Sequence, residues 1–131
     1  MRSTRWAAVV ASVLVLLAVG CRGNVPVYNV TDALVATLKP NPSLDDVGKA
    51  IQRAGVALGW QMKELKPGHM LGTLTLRKYV AVVDVNYSVK SYSIQYKDST
   101  DFNYDGGNIH PNYNRWIENL DKGIREQLRL L

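Results

Sequence analysis

Apolar residues change their spacing along this chain, and each change marks an element. An uncharged run from Trp6 to Val19 comes first, behind Arg2 and Arg5. From Arg22 to Pro42 no period holds. Pro26, Pro40 and Pro42 remove backbone donors, and Asn24, Asn29 and Asn41 favour turns. This stretch predicts a tether, with a short edge strand over Val25 to Val30 and an apolar segment from Ala33 to Leu38 that packs on the body. A helical period then starts at Ser43, where a capping Ser and the acidic Asp45 and Asp46 suit the positive end of a helix, and Gly59 stands just past its end. Leu44, Val47, Ile51, Ala54 and Leu58 form its inward stripe, which leaves Lys49, Gln52 and Arg53 in water.

After Gly59 the period falls to two. A first strand begins at Trp60 and Met62 and ends at the Pro67-Gly68 turn, a second runs from His69 to Arg77, and a third from Tyr79 to Tyr87. A fourth covers Tyr92 to Lys97, with Tyr92, Ile94 and Tyr96 opposite Ser93, Gln95 and Lys97. Asp98 to Asn108 is polar, contains Gly106-Gly107 and reads as a loop. His110-Pro111 opens the last helix, whose inward stripe is Tyr113, Trp116, Ile117, Leu120 and Ile124, extended by Leu128. The expected fold is therefore α+β: a helix, a four-stranded antiparallel meander and a C-terminal helix, with both helices on one sheet face. Residues 1–20 are assigned to a signal, 21–42 to a modified N-terminus and tether, and 43–131 to a single domain.

Length and charge narrow the picture. A chain of 131 residues is one domain by size. Its net charge of +5 falls to +3 once Arg2 and Arg5 leave with a signal. Lys63, Lys66, Arg77, Lys78, Lys90 and Lys97 alternate along strands rather than cluster, so no nucleic-acid partner is expected. Lys63, Lys78 and Lys97 also discourage pairing of sheet edges between copies.

The N-terminus has the three-part form of a secretory signal: basic start, apolar run, small residues. The run is about 14 residues long, whereas crossing a bilayer takes roughly 20. At its end, Leu17-Ala18-Val19-Gly20-Cys21 resembles a bacterial lipobox, with Ala18 in place of the commoner Leu. The resemblance implies that the Cys21 thiol is diacylglycerated and becomes the new N-terminus after cleavage. As the one cysteine of the chain, it leaves no internal disulfide to stabilise the domain. Arg22 stands where enterobacterial lipoproteins kept at the inner membrane resemble one another in having Asp, which implies transfer to the outer membrane, facing the periplasm.

Candidate chemistry is sparse. Cys21 is committed to lipid and His69 and His110 lie on separate elements, so no metal or other cofactor is expected. Asp98, Asp101 and Asp105 lack the closing acid of a calcium loop. No Ser sits in a Gly-x-Ser-x-Gly elbow, although Ser99, His110 and Asp98 or Asp84 supply the residue types of a hydrolytic triad. The densest polar grouping is Tyr96, Asp98, Ser99, His110, Tyr113 and Asn114, a candidate binding site between a strand end and a helix start. The same residues suit a plain junction, with Asp98 and Ser99 stopping the strand, His110 capping the helix and Asn114 tying down the loop. Tyr79, Tyr87, Tyr92 and Tyr96 share one sheet face, where they pack as core with hydroxyls at the rim or present an aromatic binding surface.

Several segments also resemble small proteobacterial lipoproteins of unknown function: Pro26 to Val30, Ala50 to Gly55, Leu58-Gly59-Trp60, Pro67-Gly68, Tyr92 to Ser99, and Ile109 through Ile117. Tyr79 departs from that pattern, which has a His there. The resemblance implies export and anchoring. Taken together, the chain reads as a lipid-anchored, non-enzymatic module that binds an envelope protein or cell-wall component, the alternative being a small envelope hydrolase using Ser99, His110 and Asp98.

Overall fold

The computed structural model describes residues 23–131. The expected signal, Cys21 and Arg22 lie outside the described residues. The elements run β1 (Val25–Pro26), β2 (Val30–Leu34), α1 (Leu44–Ala57), β3 (Gln61–Lys66), β4 (His69–Leu76), β5 (Tyr79–Tyr87), β6 (Ser91–Thr100), β7 (Asn108–Ile109) and α2 (Pro111–Arg129). The class is α+β, with one five-stranded antiparallel sheet in the order β2-β6-β5-β4-β3 and a two-stranded pairing of β1 with β7.

The expected meander corresponds to β3 through β6, but it is not the whole sheet. β2 adds a fifth strand beside β6, with Val30 opposite Ile94 and Leu34 opposite Ser91. The stretch read as a tether is thus part of the folded unit, which begins before Ser43. Its strand was hidden because the pairing is broken midway. Asp32 adopts φ 49°, a conformation Asp tolerates better than most residues, and its N–H donates to Ser93 Oγ (2.9 Å) instead of to the ladder. The Val25 to Val30 strand divides: Val25 and Pro26 pair with β7, and Val30 starts β2.

Helix α1 is closed at its start by reciprocal bonds: Asp46 N–H donates to Ser43 Oγ, and Ser43 N–H donates to the Asp46 carboxylate, each at 3.0 Å. Lys39 adds a 2.8 Å ion pair to the same carboxylate, and these donors hold its pKa down at about 2. The helix approaches the sheet closely because two glycines face it. A Cβ on Gly48 would stand 2.7 Å from the Tyr87 hydroxyl, and one on Gly55 would collide with Met62 Sδ. Helix α2 lies against the same side chains' face, reaching Tyr92 through Asp121 and Tyr96 through Tyr113.

Val47, Ile51 and Ala54 of α1, Ala81, Val83 and Val85 of β5, and Ile117, Leu120 and Ile124 of α2 fill the core. Leu58, expected on the inward stripe, is instead 42% exposed, since α1 ends one residue earlier and the chain turns at Gly59 (φ 91°). Trp116 is only half-buried.

Candidate functional site

The residues singled out between β6 and α2 are divided by a bulge. Val82 pairs with Asp98 but Val83 pairs with Tyr96, so Lys97 is an extra residue in β6. The bulge resets the alternation of faces. Tyr96 and Ser99 both fall on the helix-covered side, where the Tyr96 hydroxyl and Ser99 Oγ share a 2.8 Å hydrogen bond. Lys97 falls on the open side and lies 3.7 Å from Asp84. Asp98 is exposed, and its carboxylate accepts from the Ser99 N–H (2.8 Å).

The remaining members serve as structural joints. His110 caps α2: its Nδ1 accepts from Asn112 N–H (3.1 Å), while its backbone N–H donates to the Phe102 carbonyl (2.8 Å). Asn114 does not tie down the 101–108 loop as expected. Its Oδ1 accepts from Tyr28 N–H and its Nδ2 donates to the Pro26 carbonyl, both at 2.9 Å, so it fastens the N-terminal segment to α2. Tyr113 is fully buried, with its ring edge-on to Tyr96 (5.5 Å) and Phe102 (5.8 Å). Its hydroxyl is buried without a protein partner among the described residues. Burial raises the Tyr113 phenol, helped by Tyr96 and Tyr104, and burial also raises that of Tyr96.

The structure therefore joins Tyr96, Ser99 and Tyr113 on one wall and sends Asp98, His110 and Asn114 to separate tasks. Two further members of that wall were passed over in the sequence. Phe102, within the polar loop, is 1% exposed and stands 5.0 Å from the Trp116 ring. Tyr104 stacks on Tyr96 at 4.0 Å. The one Phe of the chain, isolated among polar residues, was the available sign that this loop is anchored.

Two other groupings emerge from the fold. On the open sheet face, His69 Nε2 lies 2.7 Å from Asp84, which also faces Lys97. This face offers an imidazole hydrogen-bonded to a carboxylate, and among the described residues no serine hydroxyl is bonded to it. Under α2, the Tyr92 hydroxyl donates to Asp121, whose second oxygen is 3.0 Å from Arg125. Burial and the adjacent carboxylate raise the Tyr92 phenol above its ordinary value. Asp121 lies on the face of Ile117, Leu120, Ile124 and Leu128, and a carboxylate within an apolar stripe was a legible sign of a buried partner.

A further concavity lies elsewhere. A groove of about 340 Å³ opens between the end of α1, the end of β4 and α2, lined by Leu58, Trp60, Leu74, Leu76, Trp116 and Asn119. Its size is at the lower end of small-ligand pockets. Among the described residues there is no cluster of three or more His, Cys, Asp or Glu able to hold a metal, and no helix is long and apolar enough to cross a membrane. No family model, no curated protein and no solved structure matches the chain.

Proposed function

We propose that this protein is a lipoprotein of the bacterial cell envelope, held by acyl chains on Cys21 to the periplasmic side of the outer membrane, and that its domain acts by binding an envelope protein or cell-wall component. The observation that carries the reading is the run from Arg2 through Val19 to Gly20-Cys21, in which a basic start, an apolar stretch and a lipobox-like end follow in the order export requires. The resemblance to small proteobacterial lipoproteins supports the same compartment. Two or more acyl chains suffice for stable anchoring, since each buried methylene contributes about 0.8 kcal/mol.

The preference for binding over catalysis rests on how the polar residues are used. A hydrolase built on Ser99, His110 and Asp98 needs base and nucleophile within hydrogen-bond reach. Here Ser99 Oγ is bonded to Tyr96, His110 Nδ1 accepts from the α2 backbone, and Asp98 accepts from a backbone N–H beside it. These engagements weigh against the hydrolase reading.

The test is labelled palmitate in cells expressing the chain, with Cys21→Ser alongside. Label on the wild type alone, with the variant released into the periplasmic fraction, is the expected result. Complete membrane recovery of Cys21→Ser would overturn the anchor.

A further inference from the structure

The two poles of the domain differ, and the chain runs back to Cys21 from one of them. Asn24 Nδ2 donates to the Asn103 carbonyl (2.7 Å), and Val25 pairs with Ile109, so the N-terminal segment ends against the 101–108 loop. The β4–β5 turn lies at this same pole, because Leu76 pairs with Tyr79, and Val80 pairs with Thr100 just before that loop. The apolar groove opens here too, since Trp116 joins it to Phe102. Cys21 is two residues before Gly23, so covalent reach keeps it within about 7 Å of Gly23 along the chain.

The side chains exposed at this pole are of mixed character. Leu58, Leu76 and Tyr104 are 42%, 54% and 41% exposed. Arg77 and Lys78 form the β4–β5 turn, and Arg115 projects from the first turns of α2. The acidic residues of the loop are Asp101 and Asp105. The Asp105 carboxylate is turned back onto the N–H groups of Asn108 and Gly107, which hold its pKa below the ordinary value. Leucines and aromatic rings bordered by cations are the composition that settles at a headgroup boundary, where the rings straddle polar and apolar zones and long basic chains reach phosphates.

We propose that this pole rests on a phospholipid surface, with Leu58 and Leu76 at the boundary of headgroups and acyl chains and with Arg77, Lys78 and Arg115 against lipid phosphates. The proposal rests on the lipoprotein reading, because a contact of this size holds only when an anchor supplies the second attachment. The opposite pole provides the contrast. Leu34, Leu38 and Leu130 are still more exposed there, at 75%, 78% and 60%, and the Lys39 N–H bond to the Leu131 carbonyl brings two of them together. Under this orientation they point away from the bilayer, toward any partner in the periplasm.

The experiment uses the mature lipidated chain in vesicles of phosphatidylethanolamine with a minority of phosphatidylglycerol, some acyl chains being brominated. Cys21 is the one native cysteine, so once lipidated it leaves an introduced thiol free for selective labelling. Leu58→Cys, Leu76→Cys, Leu34→Cys and Leu38→Cys each replace an exposed side chain and carry a fluorophore. Several-fold stronger bromine quenching at Leu58 and Leu76 than at Leu34 and Leu38 is the expected result, reduced at Leu76 by Arg77→Glu with Lys78→Glu. Equal quenching at both poles, or stronger quenching at Leu34 and Leu38, overturns the orientation. If the protein is vesicle-bound and all labels remain unquenched, the orientation fails while the anchor stands. If the Cys21 thiol stays reactive and the chain never joins the vesicles, both readings fail.

Discussion

Tyr92 on β6 and Tyr113 on α2 are both buried between the sheet and the helix, but their hydroxyls meet opposite surroundings. That of Tyr92 donates to the buried Asp121, which Arg125 flanks from the solvent side. That of Tyr113 is enclosed by Tyr96, Phe102 and their neighbours without a protein partner among the described residues. The first arrangement couples sheet to helix through a directional, charge-assisted bond, whereas the second relies on ring packing. Burial alone therefore does not say what a tyrosine contributes; the partner of its oxygen does.

The largest effect is expected where packing alone holds the structure. Phe102→Ala should cost about 3–5 kcal/mol, read as a fall in the denaturation midpoint, because it opens a cavity between Trp116, Tyr113 and Tyr79. A cost below about 1 kcal/mol would mean that the loop does not anchor this corner.

Next comes the polar pair. Asp121→Ala should cost about 1–3 kcal/mol by orphaning the Tyr92 hydroxyl, and Tyr92→Phe somewhat less. A double-mutant cycle should return a coupling of about 1 kcal/mol, and strict additivity would remove the charge-assisted bond from the account.

Alkaline titration separates the two tyrosines from exposed ones. Both phenols are raised in the folded state, by burial first. The folded chain therefore keeps protons that the unfolded chain releases, so stability is intact below about pH 10 and declines above it. Either Tyr→Phe variant should flatten that decline, measured as midpoint against pH.

The smallest effect is expected at Tyr113→Phe, which removes a hydroxyl without a protein partner. Its stability should lie within about 0.5 kcal/mol of wild type or above it. A loss like that of Tyr92→Phe would erase the contrast.

Much of the fold could be read from period alone. The change from helical spacing to alternation at Gly59, the Pro67-Gly68 turn and the His110-Pro111 start all mark observed boundaries. β2 beyond Val30 was not legible, because its pairing is interrupted at Asp32 and it is only five residues long, so no run of alternation was long enough to register. The candidate site fared differently. Its residues were picked by type, but face depends on register, and the single extra residue Lys97 moved Ser99 to the side of Tyr96 while leaving Asp98 exposed.

By itself the sequence determined the α+β class, the two helices with their caps and the meander strands, because propensity, period and short motifs are local properties. Only the tertiary structure decided that Val30–Leu34 joins β6 as a fifth strand, that Phe102 anchors a polar loop, and that Tyr92 meets Asp121. Each of these joins residues distant in the chain, and a pairing across such distance is set by which surfaces remain uncovered once the local elements have packed.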